Sequence, residues 1–341
     1  MPLLSWLALV LPCSALVSWL LLRALIPQLR RRLLDQPNAR SSHRRPTPRG
    51  GGVAFVLVAA GASVLALLPG TGGVRAAAPA LIALPLALLP LALVGFLDDR
   101  HNLPAGVRYG VQLATALIIA LLSPLARALP QAPMVLGPAA MVLLPAAMVL
   151  LVVAITAVIN FTNFMDGLDG LVAGSMLVAL SAAALHLAAP WSIWALVGAL
   201  VGFLLWNWSP AQVFMGDVGS TFLGAMFAGV VLQAPSWPQS LGLLLVATPL
   251  LGDACLCVLR RLLAGQPVLQ AHRLHLFQRL HQAGWPHARV ASLYIGGTAV
   301  LSLTLLVAGW RSVLPLAAAE LLVALWLDRR VAVPFVIAAE S

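Results

Sequence analysis

Residues 77–99 have the sequence AAPALIALPLALLPLALVGFLDD, in which an uncharged run over 77–97 leads directly into the adjacent carboxylates of Asp98 and Asp99. A helix needs about 20 apolar residues to cross a bilayer core about 30 Å thick. Ionisable groups at the membrane boundary are costly, and they usually serve a function. The stretch therefore predicts a transmembrane helix that ends at a functional loop.

Apolar stretches of this length recur along the whole chain. Hydrophobic residues form 61% of the 341 residues and charged residues 9%, and the mean hydropathy is +0.99. Because about a quarter of the residues of a soluble domain are charged, an ordinary soluble protein is excluded. Backbone polar groups in lipid must be satisfied within each segment, which predicts an all-α polytopic membrane protein with a single domain over 1–341. We expect about 11 (10–11) transmembrane helices, over approximately 3–25, 52–69, 77–97, 107–125, 134–158, 171–189, 191–208, 219–234, 240–259, 291–309 and 313–328.

The arginines predict the orientation of these helices. The first apolar stretch has arginines after it but none before it, which indicates a retained signal-anchor with a periplasmic N-terminus. Most of the 20 basic residues, all of them arginine, then fall on one side, so the positive-inside rule makes that side cytoplasmic. The stretch 126–158 is counted as one span, because two spans would place the later arginines outside. The net charge of +10 is thus explained without nucleic-acid binding. The cytoplasmic loops are 26–51, 98–106, 159–170, 209–218 and 260–290, with the C-terminal tail.

Carboxylates concentrate in the same loops. Half of the ten acidic residues lie in three loops that are too short to need them for solubility. Adjacent carboxylates repel each other unless a cation or a proton intervenes, and Mg²⁺ with a phosphate substrate would supply that cation. For the first pair, a solvated helix end with Arg100 as counter-ion is the alternative. The five carboxylates are Asp98, Asp99, Asp166, Asp169 and Asp217.

Glycines and amides accompany the later carboxylates. Residues 160–171, NFTNFMDGLDGL, combine two asparagines with two Asp-Gly pairs, which favour tight turns. Helix capping, the alternative, would need only one Asp. In residues 215–221, MGDVGST, glycines flank Asp217 just before a helix whose first amides can face an anion. Asp217 could then bind a metal while these amides hold phosphate oxygens.

Two basic segments complete this face of the predicted protein. Residues 40–52, RSSHRRPTPRGGG, fit a positive-inside loop, although that does not explain the glycine triplet. Residues 272–287 have the sequence HRLHLFQRLHQAGWPH, and on a helix His272, His275 and Arg279 would share one face. Zinc binding is one interpretation of the histidines, but the interleaved arginines favour phosphate contact.

The cysteines and one intramembrane carboxylate have less specific interpretations. Cys13, Cys255 and Cys257 lie in apolar stretches, and no second ligand pair follows Cys255 and Cys257 at zinc-site spacing, which favours a packing role. Asp253 lies within the helix before Arg260. It either pairs with an arginine or reaches the site from the bundle interior.

Taken together, four motifs in order resemble one family, the polyprenyl-phosphate N-acetylhexosamine-1-phosphate transferases, or WecA/MraY-like membrane enzymes. The motifs are Asp98-Asp99 with Asn102, NxxNxxDGxDGL over 160–171, MGDxGS over 215–220, and the late His-rich loop. The resemblance covers about residues 30 to 290, and every motif falls on the predicted cytoplasmic side.

The resemblance implies that the oxygen of undecaprenyl phosphate attacks the β-phosphate of a UDP-N-acetylhexosamine and releases UMP. It implies Mg²⁺, for which Mn²⁺ could substitute, bound by Asn163 and Asp217. Asp98 and Asp99 would position or deprotonate the lipid phosphate, Asp166 and Asp169 would serve the nucleotide-sugar pocket or the metal, and His272 and His275 would hold phosphate or sugar. The donor would also contact Arg49, Asn160, Gly216, Ser220, Arg273 and Arg279. A bacterial inner-membrane location follows, and a homodimer is left open.

The late loop departs from the family pattern, because HRLH stands here in place of consecutive histidines or a His-x-His-His string. This places the chain nearer the branch that initiates O-antigen and other surface glycans. N-acetylglucosamine is the expected sugar, with N-acetylfucosamine and N-acetylquinovosamine as alternatives. The phospho-N-acetylmuramoyl-pentapeptide transferase of peptidoglycan synthesis is the second interpretation. A secondary transporter is the third interpretation. It is disfavoured because transporters place polar groups near the membrane midplane and often contain repeats.

Overall fold

A computed structural model describes residues 3–37, 45–69, 79–129, 140–267 and 272–340, so residues 40–44 of the first basic segment lie outside the described residues. Most of the described chain is helical, and two short strands, β1 (Leu34–Asp35) and β2 (Thr47–Pro48), pair antiparallel. The helices are α1 (Leu3–Arg32), α2 (Val53–Leu67), α3 (Pro79–Ala87), α4 (Leu89–His101), α5 (Ala105–Leu122), α6 (Pro124–Ala128), α7 (Ala140–Phe164), α8 (Leu171–His186), α9 (Trp191–Asn207), α10 (Asp217–Val231), α11 (Trp237–Leu245), α12 (Thr248–Leu263), α13 (Leu276–Gln282), α14 (His287–Ala308), α15 (Trp310–Arg330) and α16 (Phe335–Glu340).

The helices have the length and composition of a multi-pass membrane protein. In the described part of the chain, six spans are long and apolar enough to cross a bilayer: α1, α5, α7, α14 and α15 each form one, and α3 and α4 together form one over Pro79–His101. Helices α11 and α12 would form a seventh span despite an 84° bend between them. Helices α2, α8, α9 and α10 are apolar but shorter. The predicted all-α membrane fold is therefore confirmed, and every predicted span overlaps one of these helices. The count of eleven crossings and the orientation stay predictions.

Helix α10 forms the centre of the bundle. Every residue from Val218 to Val231 is buried, and the helix packs against α4, α7 and α8. Large apolar side chains on the outer helices point away from the core instead: Leu150 is 68% exposed and Val307 is 79% exposed. An apolar exterior of this kind is expected where lipid replaces water as the solvent.

Close backbone approaches bring the ends of several helices to the start of α10. A Cβ atom on Gly95 of α4 would lie 2.7 Å from backbone atoms of Asp217, so this approach requires glycine. The amides of Gly51 and Gly52 donate hydrogen bonds of 2.9 Å to the carbonyls of Phe214 and Met215. The glycine triplet thus joins the loop before α10 to the segment after β2.

Candidate active site

The first turn of α10 is held by a carboxylate from another helix. Asp99 of α4 accepts hydrogen bonds from the amides of Asp217 (3.0 Å) and Val218 (3.2 Å). Such a carboxylate satisfies amides that have no partner within the helix, and it neutralises the positive end of the helix dipole. Gly216 precedes this turn with φ +73°, and a Cβ atom there would lie 2.4 Å from Oδ2 of Asp99. The motif around Asp217 is therefore shaped to receive Asp99.

The two residues implied as metal ligands lie side by side. Nδ2 of Asn163 donates to Oδ1 of Asp217 at 2.9 Å and to Oγ of Ser220 at 2.8 Å. The hydroxyl of Ser220 is buried and also donates to the carbonyl of Gly216 at 3.1 Å. These bonds use the nitrogen of the Asn163 amide, and its oxygen is the atom that a hard cation would take as a ligand.

Asp98 joins this cluster from the last turns of α4. Its buried carboxylate accepts hydrogen bonds from the amide of Leu103 (2.6 Å) and from Nη1 of Arg108 (2.9 Å), and it lies within hydrogen-bonding reach of the Asp217 carboxyl group. Arg108 lies in the first turns of α5, which places its guanidinium group directly against Asp98. The counter-ion of Asp98 is thus Arg108, and not Arg100 as in the alternative interpretation of a solvated helix end.

The Asp-Gly pairs place two carboxylates in different environments. Burial, followed by the charges of Asp217, Asp99 and Asp169, raises the pKa of Asp166 to about 8. Burial also opposes ionisation of Asp169, but hydrogen bonds from His287 and from the amide of Ala211 (3.2 Å) hold the pKa of Asp169 below its usual range. Asp169 thus anchors the neighbouring loops, whereas Asp166 faces the excess of negative charge.

Two cavities meet at Asp217, which contributes to both of them. The first has a volume of about 340 Å³ and the second about 240 Å³. The first cavity is lined by Leu91, Val94, Gly95, Asp98, Arg108, Tyr109, Gln112, Asn160, Asn163, Phe164, Asp217, Thr221, His272 and His275. The second cavity is lined by Asp35, Arg49, Asp99, Asp166, Gly167, Leu168, Asp169, Asn207, Phe214, Gly216, Asp217, Gln278 and His287.

The residues present fit a divalent cation with oxygen ligands. Burial is the first cause of the raised pKa of Asp166, and the charges of Asp217, Asp99 and Asp169 add to it, which leaves a local imbalance of negative charge. A cation held by Asn163 and Asp217 would remove that imbalance and favour the ionised form of Asp166. Mg²⁺ prefers such ligands, and Mn²⁺ could use the same set. The cofactor itself stays a prediction.

The His-rich segment differs from the predicted continuous helix. Helix α13 begins only at Leu276, because Asp253 accepts hydrogen bonds from the amides of Leu276 (2.8 Å) and Phe277 (3.1 Å) and so caps the helix there. The expectation that His272, His275 and Arg279 share a helix face is therefore wrong. The rings of His272 and His275 instead stack at 4.9 Å between centroids and line the first cavity.

Asp253 does not pair with an arginine among the described residues and does not itself line the two cavities. It reaches the site from the bundle interior instead, because its Oδ1 lies 3.8 Å from Nδ1 of His275. The third hydrogen bond to Asp253 comes from the hydroxyl of Tyr294, at 2.7 Å.

Burial and the neighbouring His275 lower the pKa of His272 to about 3. The ring of His272 is therefore neutral at pH 7 and would meet a substrate as a hydrogen-bonding group.

The predicted donor-binding arginines fall in three different places. Arg49 lines the second cavity and donates to the carbonyl of Asp99. Arg279 is buried and donates to the carbonyls of Leu274 (3.0 Å) and Val333 (2.9 Å) and to Asp328, so its phosphate-binding role gains no support. Arg273 is half-buried and does not appear among the residues of the described chain that line either cavity. Asn160 reaches the first cavity, where its Nδ2 donates to Gln112 at 2.8 Å.

Sequence reasoning missed several cavity residues. Arg108, Tyr109 and Gln112 lie on the same side of α5, and His287 opens α14. Arg108 lies only ten residues after Asp98, with which it pairs. The spacing of Arg108 and Gln112, one helical turn apart, was the available clue.

Comparisons with known proteins identify a family and several relatives. The model of the family described as "Glycosyl transferase family 4" matches residues 81–234. A Mycobacterium tuberculosis protein named as a decaprenyl-phosphate N-acetylglucosaminephosphotransferase is 31% identical over 74% of this chain and 70% of its own length. A Desulforudis audaxviator phospho-N-acetylmuramoyl-pentapeptide-transferase is 32% identical over 81% of this chain and 90% of its own length. A Bacillus subtilis protein named as a probable undecaprenyl-phosphate N-acetylglucosaminyl 1-phosphate transferase is 27% identical over 74% of this chain and 71% of its own.

Proposed function

The chain belongs to glycosyl transferase family 4, among the WecA/MraY-like polyprenyl-phosphate sugar-phosphate transferases, and we propose that it transfers N-acetylhexosamine 1-phosphate from a UDP-N-acetyl sugar to undecaprenyl phosphate. The products are UMP and an undecaprenyl-diphosphate-sugar. The observation that carries this proposal is the pair of cavities that share Asp217. A transfer between a membrane lipid and a soluble nucleotide needs two binding sites that meet at the reacting phosphates.

The first cavity suits the lipid phosphate. Its wall combines the apolar side chains of Leu91 and Val94 with the guanidinium group of Arg108. Arginine binds phosphate through charge-assisted hydrogen bonds, and the apolar residues suit the first isoprene units. The second cavity suits the donor, because it contains Arg49 and the polar loop residues around Asp169 and His287.

The reaction then requires little acid–base chemistry. The second pKa of a phosphate monoester is about 6, so the lipid phosphate is largely ionised near pH 7. Its oxygen attacks the β-phosphorus of the donor, the bond from that phosphorus to the bridging oxygen breaks, and the electron pair leaves with UMP. Arg108, which Asp98 holds in position, binds the attacking phosphate, while His272 and His275 donate hydrogen bonds to phosphate or sugar. Bound Mg²⁺ would neutralise the diphosphate and the leaving UMP.

We further place this reaction at the cytoplasmic face of a bacterial inner membrane. The arginine distribution supports that orientation, and a UDP-sugar donor is a cytosolic compound. The first membrane step of O-antigen or other surface-glycan synthesis is the favoured pathway, with N-acetylglucosamine as the sugar. Relatives of both the N-acetylglucosamine and the muramoyl-pentapeptide type match the chain, so the second type is the alternative donor. A homodimer would be compatible with this assignment.

The test is a transfer assay with purified protein, undecaprenyl phosphate, Mg²⁺ and a panel of UDP-N-acetyl sugars that includes UDP-N-acetylmuramoyl-pentapeptide. UMP release is the readout, and EDTA is the control. We expect release with one N-acetylhexosamine donor and its loss with EDTA. Release with the pentapeptide donor alone would assign the chain to peptidoglycan synthesis. No release with any donor would refute the proposed reaction.

A further inference from the structure

Three soft or borderline metal ligands converge beside the first cavity. Cys257 of α12, His272 and His275 each offer one ligand atom, and these atoms lie within 4.8 Å of one another. A tetrahedral Zn²⁺ ion, with Zn–S about 2.3 Å and Zn–N about 2.0–2.1 Å, places its ligand atoms about 3.3 to 3.6 Å apart. Small side-chain rotations are therefore enough to close the set around an ion.

The surroundings of this cluster resemble those of a bound metal ion. Cys257 is a free, buried thiol, and His275 is 2% exposed. Nδ1 of His275 lies 3.8 Å from Oδ1 of Asp253. A ring that binds a metal through Nε2 carries its proton on Nδ1, and a carboxylate in this position orients such rings.

The nearby arginines do not preclude a cation. Arg260 and Arg279 both pair with Asp328, through contacts that include a bidentate pair from Arg260 at 2.8 and 2.6 Å. Arg261 donates to the carbonyl of Pro267. Much of the positive charge on this side is thus directed at acceptors other than the cluster, and Asp253 adds a negative charge beside His275.

We propose that Cys257, His272 and His275 form a Zn²⁺ site, distinct from the Asn163–Asp217 pair, and that its occupation blocks transfer. Thiolate and imidazole ligands select Zn²⁺ over Mg²⁺, which prefers oxygen. Three protein ligands leave one coordination position open to water or a substrate oxygen. Because both histidines line the first cavity, an ion there would remove them from their role in binding substrate. Only this inhibitory part rests on the proposed transfer reaction.

The direct test is Co²⁺ titration of the purified, reduced protein in detergent. We expect one equivalent of Co²⁺ to give the near-ultraviolet thiolate-to-cobalt band, and added Zn²⁺ to abolish that band. Cys257→Ser and Cys257→Ala should lose it. Cys255→Ser is the matched control, because Cys255 lies two residues away on the exposed side of the same helix and should leave the band unchanged. Absence of the band in the wild type, or its persistence in folded Cys257→Ser, would overturn the site.

The inhibitory role has its own readout. With Mg²⁺ in excess, Zn²⁺ should inhibit UMP release by the wild type and by Cys255→Ser, whereas Cys257→Ser should require about tenfold more Zn²⁺, a ratio in the range for loss of part of a metal site. Equal sensitivity of Cys257→Ser would place the inhibition elsewhere and overturn this role. The cobalt spectrum needs no substrate, so it decides the metal site even if no donor supports transfer.

Discussion

The capping of α13 by Asp253 gives the most quantitative prediction. Asp253 accepts three hydrogen bonds inside the protein, from the amides of Leu276 and Phe277 and from the hydroxyl of Tyr294. Asp253→Ala leaves three buried donors without an acceptor, at about 1–3 kcal/mol each, or about 3–9 kcal/mol in total. Tyr294→Phe removes one bond to a charged acceptor, worth about 1.5–3 kcal/mol. Asp253→Asn keeps an oxygen but loses the charge, so it should fall between the two.

The assay is thermal unfolding in detergent together with binding of undecaprenyl phosphate. The loss of Tm should be smallest for Tyr294→Phe, larger for Asp253→Asn and largest for Asp253→Ala. Binding of the lipid phosphate should weaken in the same order, because the start of α13 positions His275, which lines the first cavity. The reasoning would be refuted if folded Asp253→Ala matched the wild type in both measurements, or if Tyr294→Phe were the most damaging of the three.

The remaining predictions concern the two cavities. Asp217→Asn and Asp98→Asn should each lower kcat for UMP release by about 10²–10³-fold, which is the range for loss of one electrostatic contact in an active site. Both variants should remain folded in the membrane. Retained activity would remove that residue from the catalytic core. Arg108→Gln should raise KM for the lipid phosphate by about tenfold or more, because a charge-assisted hydrogen bond is lost. The surface variant Arg127→Gln is the control, and it should leave this KM unchanged in the same assay. Because burial and the neighbouring carboxylates raise the pKa of Asp166 to about 8, a nearby Mg²⁺ should favour its ionised form. Mg²⁺ affinity measured by calorimetry should therefore weaken as the pH falls below that value and level off above it, and a flat profile would contradict this coupling.

Much of the fold could be predicted from the chain because the physical constraint was simple. Lipid requires apolar helices of a given length, and each of the predicted spans overlaps a helix. The convergence of Asp98, Asn163 and Asp217 was also predictable, because alternation of the spans placed their loops on one side.

What the sequence did not reveal were bonds between distant segments. Asp99 caps a helix that starts at Asp217, and Asp253 caps one that starts at Leu276. Each looks in the sequence like a free carboxylate near the membrane, because its partners are backbone amides and carry no side-chain signature. For the same reason the sequence does not reveal that α13 starts at Leu276, which removes the common helix face expected for His272, His275 and Arg279.

The shared residue between the two cavities also bears on the kinetic order of the proposed reaction. If only Asp217 and its immediate neighbours separate the compartments, each substrate can exchange through its own entrance while the other stays bound. Neither has to arrive first, so initial-rate plots should intersect rather than run parallel. UMP should then compete with the nucleotide sugar alone, and excess lipid phosphate should not relieve that competition.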